Sequence, residues 1–311
     1  MECIENNKPK IILICGPTAI GKTSVAIDVA ERVGGEIVGA DSMQIYRYMD
    51  IGTAKPTAEE KRRVVHHMVD IADPDGPYDA ARFSRESRAA VNAILRRGRI
   101  PVIVGGTGFY IKALLYGLCD AVPEDETVRH RLREAAALSG GEPLYRRLAD
   151  CDPETAEKIH PNDTYRIVRA LEVYEASGMP MSEYRRRHGF SDAPYHVLKI
   201  GLFMDRQALY ARIDQRVEEM ARQGLCDEVK QLLAAGYHES LRPMQALGYR
   251  HMAAFIRGEA DWGATLATLK RDTRQYAKRQ LTWFRKDPEI QWFEPGRRED
   301  IVACARAFVV E

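Results

Sequence analysis

Residues 9–42 read PKIILICGPTAIGKTSVAIDVAERVGGEIVGADS. The apolar run 11–15, bounded by Pro9 and by Gly16-Pro17, has the Ile-Ile-Leu-Ile character of a strand buried on both faces. From Thr23 onward Val25, Ala26, Val29, Ala30 and Val33 recur at helical spacing until Gly34-Gly35 ends the run. Residues 36–40 read as a second strand, which stops at Asp41-Ser42. Strand, tight turn, helix and strand in this order open a βαβ unit.

The pattern continues outward from there. Thr57-Ala58-Glu59-Glu60 matches a capping box and opens a short helix reaching about Val65. A third short strand is expected over 68–71. Residues 79–97 place Phe83, Ala90, Val91, Ile94 and Leu95 on one helical stripe, and 100–104 form another buried strand. Such alternation predicts an α/β fold, a parallel sheet with helices on both faces. After about Tyr116 only helices are expected, near 126–138, 143–148, 153–160 and 163–177, which reads as an all-helical insertion over 117–195. Residues 197–204 resume the sheet, so 1–116 and 196–311 form one core. Helices follow over 205–222, 225–235, around His251 and over 261–286, with 290–293 as a last edge strand.

The 311 residues are 45% apolar, enough for substantial cores. Forty-six Lys and Arg against forty-five Asp and Glu leave a formal charge of +1, which excludes a histone-like or acidic-tail protein. Cys3, Cys15, Cys119, Cys151, Cys226 and Cys304 are scattered without a C-x-x-C pair, as expected of reduced thiols. The start, MECIENNKPK, mixes both charges ahead of five apolar residues, too few for a signal-peptide core. No later run reaches membrane-spanning length, so a soluble cytoplasmic protein is expected.

Gly16-Pro17-Thr18-Ala19-Ile20-Gly21-Lys22-Thr23 satisfies G-x-x-x-x-G-K-[ST] at every fixed position. The glycines let the backbone curl into a nest of N–H donors, Lys22 brings a cation to phosphate oxygens, and the Thr23 hydroxyl suits Mg²⁺. The helix starting at the loop adds its positive end. This makes the core resemble the phosphate-loop NTPases in architecture. ATP is the usual ligand of such a loop, so a kinase of a nucleotide or small metabolite is one reading. Those enzymes commonly hold Mg²⁺ through an Asp at a further strand end, whereas 100–104 run into Gly105-Gly106-Thr107-Gly108. The carboxylate at a strand end near the loop is Asp41, placed to act as a general base or to hold a metal-bound water.

Several segments together resemble the tRNA dimethylallyltransferases, or isopentenylpyrophosphate:tRNA transferases. They are GPTAIGKT at 16–23, DSMQIYRYMDIGTAKP at 41–56, HHMVD at 66–70, VGGTGFYI at 104–111, HPNDTYRIVRALEVY at 160–174 and RDTRQYAKRQLTWFR at 271–285. They stand in family order over most of the chain, and Ile20, where the family often has Ser or Val, is a departure without chemical consequence. The resemblance implies transfer of a dimethylallyl group from dimethylallyl diphosphate to N6 of the adenine immediately 3′ of the anticodon. It makes Gly16 to Thr23 the diphosphate cradle, helped by Arg216 and by Mg²⁺ on Thr23. Asp41 becomes the base that accepts the N6 proton, with Thr18 and Thr107 at the reacting centre. Its partner is a tRNA anticodon stem-loop. The tRNA contacts it implies are Asp41, Ser42, Met43, Gln44 and Thr107 in the crevice, and Arg129, Tyr165, Arg166, Ile167, Val168 and Arg169 in the insertion. To these it adds Gln245, Ala246, Leu247, Gly248, Tyr249 and Arg250 on a short turn, and Arg271, Arg274, Lys278, Arg279, Gln280, Leu281, Thr282, Trp283, Phe284 and Arg285 on the last long helix. The family expectation is a monomer with no membrane and no obligate protein partner.

Residues 270–286 also point to nucleic acid without that resemblance. They hold Lys270, Arg271, Arg274, Lys278, Arg279, Arg285 and Lys286 against Asp272 alone, leaving the rest of the chain mildly acidic. Arg271, Arg274, Lys278 and Arg285 share one side of the expected helix, interleaved with Tyr276, Trp283 and Phe284, so phosphates and bases can both be met. This argues against a small-molecule kinase, and the intact Lys22, Thr23 and Asp41 argue against a non-catalytic RNA binder. Tyr46, Tyr48 and Met49 read as core or as the wall of a prenyl channel. His66-His67 reads as structural, since adjacent side chains diverge and no third ligand is spaced for a metal.

Overall fold

The computed structural model describes residues 8–118, 125–188 and 192–311; Cys3 and Cys119 lie outside them. Strand β1 (Lys10–Cys15) is buried from Ile11 onward. Gly21, at φ 99°, turns the chain into α1 (Lys22–Val33), which Gly34 ends in the left-handed region with its N–H donated to the Ala30 carbonyl. Strand β2 (Gly35–Ala40) is wholly buried. The Thr57–Glu60 capping box starts α2 (Ala58–Arg63) as its residues predict. Strand β3 is only His66–His67. The expected strand over 68–71 does not form, because Met68 and Asp70 adopt φ of 65° and 57°, which no strand tolerates. Asp79 caps α3 (Ala80–Arg96), which leads to β4 (Ile100–Gly105) and α4 (Gly108–Tyr116).

The chain then forms α5 (Glu126–Ser139), α6 (Glu142–Cys151), α7 (Pro153–Ala156), α8 (Thr164–Ser177) and α9 (Met181–His188). Helix α7 stops well short of residue 160, and α9 arises where no helix is expected. Leu132, Leu144, Leu148, Ile167 and Leu171 form the core of this unit. Strand β5 (His196–Leu202) returns to the sheet, followed by α10 (Arg206–Arg222), α11 (Leu225–Ala234), α12 (Tyr249–Ile256), α13 (Trp262–Phe284), β6 (Gln291–Phe293) and α14 (Arg298–Val310). Helix α14 is a further unexpected element. Its Ile301, Val302, Ala305 and Phe308 join Val25, Val29 and Ala30 of α1 in the main core.

Contacts divide the chain into two compact units, Met1–Leu115 with Pro194–Glu311, and Tyr116–Ala193. In the first, six strands lie in the order β3-β2-β4-β1-β5-β6, every pairing parallel. β1 sits between β4 and β5, with Leu13 level with Ile103 and Lys199. Connections leaving β1 and β4 therefore diverge at their carboxyl ends, where an open parallel sheet forms its crevice.

Candidate active site

Three connections meet in that crevice. The first is the phosphate loop, 16–23. Gly16 has φ 147°, and a Cβ there would lie 2.8 Å from the Leu202 carbonyl oxygen, so only glycine lets the loop pass β5. Ala19 holds φ 64°, a conformation costing a non-glycine residue on the order of 1 kcal/mol. Ile20 is fully buried in the main core and anchors the loop from beneath. No side chain caps α1, so its first amides remain available to an anion. Lys22 Nζ donates to the Pro17 carbonyl at 2.8 Å.

The second connection follows β2. Asp41 Oδ1 accepts from the Met43 and Gln44 amides at 2.9 and 3.4 Å, which fixes the carboxylate at the strand end. The third follows β4, where the Thr107 amide donates to the Ala40 carbonyl at 3.3 Å and its hydroxyl accepts from the Ser42 amide at 3.0 Å. Asp41, Ser42 and Thr107 are thereby held together. Tyr276 of α13 hydrogen-bonds Thr107 and faces Asp41; desolvation in the crevice, with the Asp41 charge adding to it, raises its phenol.

Cations surround Asp41. Burial pulls the Lys22 ammonium down to about 8; Asp41 supports its charge and Arg216 opposes it. Arg216 of α10 is likewise depressed by desolvation, supported by Asp41 and opposed by Arg212, one helical turn before it. Lys22, Arg216 and Asp41 thus share one electrostatic environment, in agreement with the sequence grouping. Arg212 was not anticipated, although its i,i+4 spacing to Arg216 was available in the sequence. Gly21, Thr23, Tyr48, Arg212, Arg216 and Met220 line a groove of about 1130 Å³ beside the loop. Tyr48 is exposed there, whereas Tyr46 and Met49 are core.

Thr23 stands in the first turn of α1 and lines this groove. Among the described residues no three His, Cys, Asp or Glu side chains cluster as metal ligands. The Thr23 hydroxyl is a hard oxygen donor of the kind that fits Mg²⁺, which commonly takes one or two protein oxygens and completes its shell with substrate phosphates and water.

The expected tRNA contacts separate by burial. Gln44 spends its amide protons on the Thr53 and Ala54 carbonyls, both at 3.1 Å, closing the 41–56 segment instead of offering donors to a base. Tyr249 is fully buried, and its hydroxyl donates to Glu228, which also accepts the amides of Asp50, Ile51 and Gly52. It braces that segment from α12 and is not a surface contact. Gly248 is buried beside it, while Ala246 and Leu247 are half-buried. Gln245 donates to the Glu239 carbonyl, and Arg250 pairs with Asp272 at 2.7 Å. Phe284 is core, Leu281 packs against the core, and Gln280 is buried at 6% exposure. Arg274 is turned onto Asp214 of α10, Lys270 onto Glu218, and Arg271 onto Asp272. Lys278, Arg279, Arg285 and Lys286 make no ion pair among the described residues; with Thr282 and Trp283 they form the exposed cationic and aromatic face of α13. In the helical unit Tyr165 and Arg166 are exposed, but Ile167 and Val168 are core residues, which overturns their reading as contacts. Arg129 and Arg169 flank the buried Glu172, at 3.1 and 2.8 Å.

Residues 44–287 match the family described as IPP transferase. The chain belongs to that family. The tRNA dimethylallyltransferase 2 of Syntrophus aciditrophicus is 51% identical over 302 residues, covering 97% of both chains. That of Geotalea uraniireducens is 54% identical over 288 residues, covering 93% of each. A tRNA isopentenylpyrophosphate transferase structure from Bacillus halodurans superposes with a TM-score of 0.73 at 38% identity, over 97% of both chains. A eukaryotic dimethylallyltransferase crystallised acting on tRNA gives 0.78 at 28% identity, over 96% of this chain and 77% of its own. In this IPP transferase family member the phosphate loop and Asp41 precede the matched family segment, and the 302-residue alignment to the Syntrophus relative is long enough to include them.

Proposed function

We propose that this chain transfers a dimethylallyl group from dimethylallyl diphosphate to N6 of the adenine immediately 3′ of the anticodon in tRNA. The observation that carries the reading is a carboxylate, Asp41, facing the same crevice as the cations Lys22 and Arg216. The cations suit a diphosphate leaving group, and the carboxylate supplies the base that alkyl transfer to a weakly nucleophilic amine needs. The N6–C1 bond forms as the C1–O bond breaks, the diphosphate leaves, and the N6 proton passes to Asp41. The amides at the start of α1, Lys22 and Arg216 stabilise the leaving group's growing charge, a task on which preorganised donors act strongly. Lys22 exchanges its bond to Pro17 for the diphosphate oxygens. Thr23 would hold Mg²⁺, which would supply further neutralisation of the leaving group. Thr107 and Thr18 orient the reacting centre, and Tyr48 offers the groove an apolar wall.

The exposed face of α13, from Lys278 to Lys286, supports a docking site for anticodon stem-loop phosphates, and Tyr165 and Arg166 offer a second surface in the helical unit. We assign the enzyme to the cytoplasm as a monomer. Incubating the protein with dimethylallyl diphosphate, Mg²⁺ and unmodified tRNA, then digesting the tRNA to nucleosides, is expected to yield N6-dimethylallyladenosine. Its absence, with turnover of ATP on a small acceptor, would favour the kinase reading.

A further inference from the structure

Gln280 lies on α13, 262 residues from the loop in sequence, yet its Oε1 accepts the Thr18 amide at 2.8 Å. Its Nε2 donates to the Gly106 carbonyl at 2.9 Å. One buried carboxamide therefore joins the connection after β1 to the connection after β4. The turn is shaped to admit it: a Cβ on Gly106 would stand 2.2 Å from Gln280 Nε2, and one on Gly108 would stand 2.2 Å from Trp283 Nε1. Both contacts come from α13, whose outer face carries the unpaired cations. Because Gln280 holds the Thr18 amide, the loop is anchored immediately before Ala19, the residue in the left-handed conformation.

We infer that Gln280 is a positioning residue, which fixes the phosphate loop in its anion-accepting shape from the helix proposed to dock tRNA. This rests on the reading of 16–23 as the diphosphate cradle. Gln280 touches no reacting atom; it acts through Thr18 and the Gly106 turn. The requirement is for an acceptor toward Thr18 and a donor toward Gly106 in one planar group, which among isosteric side chains only Gln and a protonated Glu satisfy.

The test measures affinity for inorganic diphosphate by calorimetry, and KM and kcat for transfer, in Gln280→Met, Gln280→Glu and Lys22→Ala. Met conserves volume and removes both hydrogen bonds. Gln280→Met is expected to weaken diphosphate binding about tenfold, the equivalent of about 1.4 kcal/mol. It should raise KM for dimethylallyl diphosphate in step while leaving tRNA affinity within about twofold. Burial and the facing Gly106 carbonyl raise a carboxyl at this position, so Gln280→Glu is expected to approach the parent, compared at the same pH, as pH is lowered and to fall away from it as pH rises and the proton donated to Gly106 is lost. A side chain that only fills space would show neither the selective KM change nor this pH dependence. Diphosphate affinity unchanged in Gln280→Met but lost in Lys22→Ala would overturn the inference and leave the cradle standing. Affinity unchanged in Lys22→Ala as well would overturn the cradle itself.

Discussion

Replacing Asp41 by Asn removes a base and a charge while leaving the local backbone intact. Asp41 Oδ1 accepts the Met43 and Gln44 amides at 2.9 and 3.4 Å, and an Asn oxygen can do the same. What disappears is the capacity to accept the N6 proton, which for a positioned general base is worth about 10²–10⁴ in rate. That corresponds to about 3–5 kcal/mol of barrier. The substitution also withdraws the negative charge supporting protonated Lys22 and Arg216, so the Lys22 titration should move below its present position near 8. Single-turnover transfer with saturating substrates should therefore slow by two to four decades, with tRNA affinity by filter binding unchanged. Asp41→Ala should add a stability loss of about 1 kcal/mol, because two amides lose their acceptor. An Asn variant keeping more than about a tenth of the parent rate would refute the assignment of the base. A loss of tRNA affinity parallel to the loss of rate would make Asp41 a recognition residue.

The remaining predictions concern charge and packing. Diphosphate carries its own negative charge and prefers protonated Lys22, whose pKa is lowered to about 8 in the free protein. Affinity measured by calorimetry should fall as pH rises through that value, and Lys22→Ala should abolish the step. Replacing Lys278 and Arg285 together by Ala should lower the slope of log affinity for tRNA against log salt by roughly 1.5, as expected when two phosphate contacts are lost. Arg274→Ala should leave that slope unchanged, because its guanidinium already faces Asp214; thermal denaturation should register a loss of about 1 kcal/mol or less, as for a partly exposed pair. Gly105→Ala would put a Cβ 2.1 Å from the Ala40 backbone oxygen, where neither strand can yield by a side-chain rotation. Chemical denaturation should show at least about 2 kcal/mol of destabilisation.

The β1–loop–α1–β2 segment was legible because each of its parts is encoded locally. A strand buried on both faces must be uniformly apolar, the loop needs its glycines, and α1 ends at Gly34 in the left-handed conformation. The two-residue β3 was not, since its pairing is decided by the positive φ of Met68 and by β2 alongside. Helix α14 carries a proper stripe in Ile301, Val302, Ala305 and Phe308, but its polar first turn, 298–300, disguised its start. At the site, Asp41 and Lys22 could be read from chain position, because Asp41 stands at the end of β2 and Lys22 at the lysine position of the phosphate loop, where α1 begins. The directions of side chains on α13 could not. Arg274 and Lys278 look equivalent on a helical projection, and the packing of α10 alone makes one an internal ion pair and leaves the other free. Tyr249 likewise follows a glycine turn that suggests a surface contact, while Glu228 and Gly52 enclose it.

The central claim is that a loop of nucleotide-binding pattern here serves a prenyl diphosphate, with Asp41 taking a proton from an adenine amine. Its most direct test is the stoichiometry of a reaction containing tRNA, Mg²⁺, dimethylallyl diphosphate and ATP together. The account predicts one diphosphate released for each N6-dimethylallyladenosine formed, with ATP untouched. Release of ADP with a phosphorylated acceptor, and no alkylated adenosine, would contradict it.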